Sequence, residues 1–275
     1  MRNLILTARL DVAESLRARW FLFYAATFGG IVALLMVFGV ADSRVMGFTG
    51  LSRTLVTYLQ LTMAILPIFI LISSVRSVAG DREAGVYEYM LSLPVPLSAW
   101  YWGRFAGRFV VVLLPVLAAM GLAVVWGMIR GADAPWVLLA VYSGLLFALS
   151  VCFLGLGFLL SSWLRSADVA QAAAFALWLV LVVFIDLILL GVMLRDAAPA
   201  QLVIAISLAN PLQVFRTAAM MLFDPQLVLL GPAAFVILDA FGTHAYLAWA
   251  IIYPILVGVA ASSLGYWRFR SGDLA

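Results

Sequence analysis

Charged side chains are concentrated in residues 79–96, a stretch between two long apolar segments. Asp81 can cap a short helix whose first turn carries Glu83, because acidic groups stabilise the positive end of a helix dipole. Leu93 precedes Pro94, so this helix should end there. Residues four apart within it form the apolar pairs Val86 with Met90 and Tyr87 with Leu91. Such a helix is shaped to enter a groove on a partner protein; the alternative is a solvated loop that only joins two segments.

The other residues that could carry chemistry are isolated. Asp186 is the one ionisable side chain well inside an apolar segment, where it could line a cavity or hydrogen-bond a neighbouring helix. The lone Cys152 and the lone His244 provide neither a disulfide nor a metal cage, and the scattered methionines form no thioether cluster. The absence of lysine excludes a P-loop ATPase and a Schiff-base enzyme. An intramembrane protease is set aside because no serine nucleophile motif and no second intramembrane aspartate are present.

Composition indicates the setting in which these residues lie. Of the 275 residues, 66% are hydrophobic and 11% are charged, whereas about 25% are charged in soluble domains. Helices are the expected spanning structure, because lipid leaves no partner for free backbone groups and the alternation of a membrane barrel is missing. The predicted fold is all-α, with six transmembrane helices of roughly 20 residues or more each. Their predicted bounds are 20–40, 55–75, 105–128, 136–160, 169–194 and 246–266.

Arginine placement predicts the orientation of these spans. The net charge of +3 would also suit a nucleic-acid partner. With the N-terminus inside, however, only five of the 16 arginines lie on the outer side, so the positive-inside rule places both termini in the cytoplasm. We therefore expect a lipid bilayer and no nucleic acid around the chain. The five outer arginines are Arg44, Arg53, Arg130, Arg195 and Arg216.

Residues 1–19 are predicted to form an amphipathic helix on the inner membrane surface. One side carries Ile5, Val12, Leu16 and Trp20, and the opposite side carries Thr7, Asp11 and Glu14. These acidic residues before a long first span argue against a cleaved signal peptide. Gly103 and Gly107 permit another helix to approach closely at the start of the third span.

A second long stretch, residues 195–245, is predicted to form a helical cap on the outer face. Asn210 precedes Pro211, which is favoured at the first position of a helix. The segment is too apolar for a free loop and too broken for a seventh span. It could receive another protein through Asn210, Pro211, Phe215 and Arg216, or it could pack only on its own bundle.

The run from Asp81 to Pro96, followed by Gly103-Arg104, resembles the signature of ABC-2 type permeases. That pattern is an acidic-Arg-Glu-x-Gly run ending in Ser-x-Pro, then a glycine-basic pair at the start of the third span. The resemblance implies a homodimer in a bacterial inner membrane that binds no cofactor itself and performs no hydrolysis. It further implies a dimeric cytoplasmic ATPase that holds ATP and magnesium and docks on the segment. The docking residues would be Asp81, Arg82, Glu83, Gly85, Tyr87, Glu88, Met90 and Leu91.

Within that family, the chain most resembles the permeases of nitrous oxide reductase maturation transporters, by its length, its use of arginine and its Asn210–Arg216 cap. This narrower resemblance implies a periplasmic β-helical partner and a role in assembling the copper sites of that reductase. Two alternatives stay open. One is an ABC-2 exporter of a drug-like or lipidic compound, and the other is a proton-coupled secondary transporter that uses Asp186.

Overall fold

The long apolar runs of the chain fold as helices, as expected where backbone groups must be satisfied within one segment. The computed structural model describes residues 2–38, 50–86, 95–129, 136–184, 200–223 and 242–272. Their helices, in chain order, are α1 (Arg2–Arg17), α2 (Arg19–Phe38), α3 (Gly50–Glu83), α4 (Leu97–Ile129), α5 (Trp136–Trp163), α6 (Ala167–Leu179, continuing as the π-helical turn Val180–Phe184), α7 (Ala200–Ala209), α8 (Pro211–Phe223) and α9 (Thr243–Gly272).

Within those ranges, four helical segments are long and apolar enough to cross a membrane. They are Thr62–Glu83 of α3, Leu97–Ile129, Trp136–Trp163 and Thr243–Ser271 of α9. Among the described residues the regular elements are all helices, and these four segments are those of a multi-pass membrane protein. The predicted span 20–40 coincides with α2, and the predicted span 169–194 is described only as far as Phe184. The number of six spans and the inward orientation of the termini stay predictions.

The fourth helix begins at Leu97, well before the predicted start of its span at residue 105. The helical turns before residue 105 pack against α9 rather than lying in solvent. Trp100 stacks on Phe269 of α9 with ring centroids 5.3 Å apart, and the Tyr101 hydroxyl donates to the Ser262 carbonyl oxygen at 2.9 Å. These two aromatic residues therefore join α4 to α9.

The centre of the bundle is α5, where the glycines at 155 and 157 let neighbouring helices approach closely. A β-carbon built on Gly155 would meet the carbonyl oxygen of Gly258 in α9 and lie 2.6 Å from the carbonyl carbon. A β-carbon on Gly157 would meet the Ser74 side chain of α3. Helices that touch through glycine gain close van der Waals packing, which is the main source of helix association in lipid.

Candidate functional site

The charged motif of the sequence lies at the end of α3, not at the start of a new helix. Asp81, Arg82 and Glu83 are the last residues of that helix. Gly85 then adopts a φ of +68° and donates its N–H to the Arg82 carbonyl oxygen at 3.2 Å. This left-handed glycine terminates the helix, because residues with a β-carbon adopt that conformation only with strain. The prediction that Asp81 caps a separate helix is therefore wrong.

Asp81 links α3 to the start of α4 through an ion pair. An Arg104 Nη1 atom lies 2.6 Å from Asp81 Oδ2, and both side chains are mostly buried. The same nitrogen donates to the Ser77 carbonyl oxygen at 2.9 Å, and the guanidinium lies 4.8 Å from the centre of the Trp100 ring. A planar guanidinium can satisfy all three contacts at once, which a lysine ammonium could not do as well.

Arg82 and Glu83 link the same turn to the connection between α5 and α6. Glu83 Oε2 accepts the Ala167 N–H at 3.1 Å at the beginning of α6, and Arg82 donates to the Leu164 carbonyl oxygen at 3.4 Å. A carboxylate at that position also suits the positive end of the α6 dipole. We call Asp81, Arg82, Glu83 and Arg104 the inner-end clamp, because these four residues join α3, α4 and the α5–α6 connection at the end of the bundle that the sequence predicts to face the cytoplasm.

Ser161 of α5 reinforces the clamp from within the bundle. Its Oγ accepts the N–H groups of Val78 at 3.1 Å and Ala79 at 2.9 Å, and it donates to the Val75 carbonyl oxygen at 2.6 Å. This fully buried hydroxyl therefore holds the turn of α3 just before the clamp. Its partners lie more than 80 residues away in the chain, so no local pattern could reveal the contact.

The N-terminal helix is seated on α4 through its polar side. Asp11 is 3% exposed, and its Oδ1 accepts from Arg108 Nη2 at 3.1 Å. The Arg108 guanidinium also lies 5.6 Å from the centre of the Trp20 ring. Burial raises the pKa of the Asp11 carboxyl above its ordinary value of 3.8, and Arg108 opposes that rise without cancelling it. Of the side predicted to lie opposite the apolar side, Asp11 is thus buried against protein and Thr7 half-buried, whereas Glu14 stays exposed.

Two glycines of α4 provide this seat. A β-carbon on Gly103 would lie 2.7 Å from Thr7 Cβ, and one on Gly107 would lie 2.7 Å from the Ala8 carbonyl oxygen. The sequence carries a signal for this arrangement in its repeated pairs Gly103-Arg104 and Gly107-Arg108. In each pair the glycine leaves room for α1, whereas the arginine pairs with a carboxylate: Arg104 with Asp81 of α3, and Arg108 with Asp11 of α1.

Gly107→Leu is expected to displace α1 while leaving the rest of the bundle folded. The leucine side chain cannot share the space held by Ala8 and Asp11, so hydrogen-exchange protection of α1 should fall by about tenfold or more. Gly121→Leu on the same helix is the matched control, because nothing lies within 4 Å of a β-carbon there. Unchanged protection of α1 in the Gly107 variant would contradict the described seat.

The remaining predicted residues are placed as follows. Tyr87, Glu88, Met90, Leu91 and Asp186 lie outside the described residues. At the other end of the bundle, α8 begins at Pro211, as predicted. Asn210, Pro211 and Phe215 are buried inside the chain, so these side chains offer no surface to an outer partner, and Arg216 is half-buried.

Neither Cys152 nor His244 lies in an environment that would make it reactive. Cys152 is fully buried in α5, whereas His244 is exposed at the start of α9. Across the part of the chain that the structure describes, no three His, Cys, Asp or Glu side chains gather in a group that could hold a metal ion.

A bundle of apolar helices with a polar clamp at one end is the architecture of a multi-pass membrane protein. Residues 5–274 match the family model described as "ABC-2 family transporter protein", and the chain belongs to that family. It is 26% identical over 223 residues to the "Probable ABC transporter permease protein NosY" of Pseudomonas aeruginosa, covering 79% of this chain and 81% of that protein. It is 24% identical over 215 residues to the NosY permease of Stutzerimonas stutzeri, covering 76% and 78%.

Proposed function

We propose that this permease converts ATP hydrolysis by a separate cytoplasmic ATPase into movement of its own helices, with residues 79–96 as the docking segment. The chain supplies no hydrolytic chemistry of its own. In this proposal two copies of the permease pair, and each copy docks one subunit of an ATPase dimer. The complex lies in a bacterial inner membrane with both termini of the permease in the cytoplasm.

The observation that supports this proposal is the inner-end clamp. The docking segment begins within the clamp, where Asp81 holds α4 and Glu83 holds the first turn of α6. A force applied to residues 79–96 therefore acts on three elements of the bundle together rather than on one flexible loop. Small displacements of packed helices are the usual way in which closure at one site becomes movement at another.

The process driven by this movement is proposed from the resemblance to the NosY permeases. We place the chain in copper-site assembly of nitrous oxide reductase, acting with a periplasmic β-helical protein. Because Asn210, Pro211 and Phe215 are buried, that partner would have to use other residues of the outer face. Export of a lipidic or drug-like compound is the competing function within the same family.

Glu88→Lys combined with Tyr87→Ala is expected to abolish docking of the ATPase without harming membrane insertion. Reversing one charge and removing one aromatic anchor at an interface should lower the recovered ATPase by about tenfold or more. The measurement is the amount of ATPase that co-purifies with the tagged permease in mild detergent. Glu14→Lys, which reverses an exposed charge on α1, serves as the matched control. Full recovery of the complex from the double variant would remove residues 79–96 as the docking segment.

Mass spectrometry of the same preparation separates the competing functions. An ATPase together with a periplasmic repeat protein supports the maturation role, whereas an ATPase alone shifts the assignment to an exporter. A folded preparation that brings no ATPase would contradict the proposal and direct attention to proton coupling through Asp186.

A further inference from the structure

Two arginines of α4, four residues apart, meet two mostly buried carboxylates from different helices. Arg104 is paired with Asp81 of α3, whereas Arg108 is paired with Asp11 of α1. Residues four apart on a helix have β-carbons only about 5–6 Å from each other, which is less than the reach of an arginine side chain. The ion pair at the end of α3 and the ion pair under α1 are therefore neighbours.

The carboxylate of Asp11 has one oxygen to spare for a second cation. Its Oδ1 atom accepts from Arg108, whereas its buried Oδ2 atom meets no hydrogen-bond donor within the described chain. Burial raises the pKa of the Asp11 carboxyl, and Arg108 and then Arg104 oppose that rise. The charge of Arg104 is thus already close enough to act on Asp11.

Arg104 borders an open space on the side of α1. A cavity of about 690 Å³ lies between α1 and the start of α4, and Asp11, Trp100 and Arg104 all line it. The guanidinium lies 4.8 Å from the centre of the Trp100 ring, which belongs to its own helix. That contact can therefore be kept while the guanidinium turns towards α1, and the turn does not have to displace packed apolar groups.

The contacts that hold Arg104 in its described position come from the end of α3. Asp81 provides the carboxylate at 2.6 Å, and Ser77, one turn earlier, provides a carbonyl oxygen at 2.9 Å. A displacement of this end of α3 removes both contacts together, whereas Trp100 moves with α4. The pairing of Arg104 therefore depends on the position of the helix end from which residues 79–96 continue.

We propose that Arg104 exchanges partners: it binds Asp81 while the end of α3 is in the described position, and it binds Asp11 when that end is displaced. Asp81 and Asp11 thus compete for one cation, and the second pairing fastens α1 more firmly to α4. Movement of the docking segment is thereby passed to the N-terminal helix. The exchange belongs to the permease alone, and only its use by an ATPase rests on the proposed function.

The test measures hydrogen exchange of the full chain in nanodiscs without an ATPase. Asp81→Asn removes the competing charge, so Arg104 should turn to Asp11 and the protection of α1 should rise about fivefold, a modest coupling between two sites. In an Arg104→Gln background the same substitution should bring no rise. A merely structural role of Asp81 predicts the opposite sign, because a lost ion pair would loosen α4 and lower the protection of α1.

Two other carboxylates serve as controls. Glu83→Gln removes a charge from the same turn of α3, but Glu83 contacts the start of α6 rather than Arg104, so the protection of α1 should stay unchanged. Glu14 is the second carboxylate of α1 that lines the cavity. The rise caused by Asp81→Asn should persist in a Glu14→Gln background and disappear in an Asp11→Asn background, and the reverse result would overturn Asp11 as the acceptor.

Competition for one cation acts in both directions, because coupling between two sites is reciprocal. Asp11→Asn should therefore raise the protection of the end of α3 about fivefold, a result that can be obtained even if Asp81→Asn does not fold. Unchanged or lower protection of α1 in Asp81→Asn, or of the end of α3 in Asp11→Asn, would overturn the proposal. An ATPase that fails to co-purify with the parent chain would contradict only the proposed function, because neither exchange measurement includes it.

Discussion

Gly155→Ala is expected to destabilise this permease by about 3 kcal/mol or more, which is a large effect for one added methyl group. The new β-carbon would meet the carbonyl oxygen of Gly258, so the backbones of α5 and α9 would have to separate. That separation would loosen the packing between α5 and α9, which is the most extensive helix contact among the described residues. The measurement is thermal unfolding of the tagged chain in mild detergent, followed by the loss of its monodisperse chromatographic peak.

Gly144→Ala on the same helix is the matched control. A β-carbon there would make only an ordinary contact, 3.7 Å from the Ile251 Cδ1 atom. Because alanine is the better helix former by up to about 1 kcal/mol, this variant should be as stable as the parent or slightly more so. Equal behaviour of the two variants would show that α5 and α9 are not in backbone contact.

Arg108→Gln is the second change with a large expected effect. It leaves the Asp11 carboxylate, whose side chain is 2% exposed, without its cation. Breaking one partner out of a buried ion pair typically costs about 3–5 kcal/mol, because the remaining charge is neither solvated nor paired. Arg19→Gln, which removes an exposed arginine of α2, should change the thermal midpoint little. Adding Asp11→Asn to Arg108→Gln should recover part of the loss.

The Arg108→Gln defect should also depend on pH, in a direction set by Asp11. A carboxyl whose pKa is raised by folding favours the native state below its unfolded pKa and loses that contribution as the pH rises through its native pKa. Arg108 holds the pKa of Asp11 down, so its removal raises the native pKa further. The defect is therefore expected to be largest near about pH 8 and to shrink towards about pH 5. A defect that grows on acidification would contradict the buried pair.

Much of the helical layout could be predicted because it depends on local composition. The start of α5 at Trp136 and of α8 at Pro211 follow from apolar runs and from proline chemistry. The continuation of α3 through Asp81, Arg82 and Glu83 could not be predicted in this way. Charges usually mark the point where a helix leaves the membrane, but here partners from α4 and the α5–α6 connection hold them within the helix.

The candidate site, like the helical layout, could be predicted from the sequence only in part. The sequence singled out Asp81, Arg82 and Glu83, and it noted the close approach that Gly103 and Gly107 permit. It did not indicate that Asp11 is buried, because a helical wheel separates apolar from polar sides without saying which side meets protein. It also did not indicate Ser161 or the π-helical turn bound by Asn210, since both depend on contacts between distant parts of the chain.

The seat of α1 on α4 has a consequence for how the chain is made. Asp11 and Arg108 are 97 residues apart, so at about 5–20 residues per second the ribosome needs about 5–20 s to supply the arginine after the aspartate. During that interval α1 has no α4 to rest on, and its exposed Ile5 and Leu10 can lie in the membrane surface beside the translocation machinery. Helix α1 can therefore dock only after the 97 residues that separate Asp11 from Arg108 have been translated.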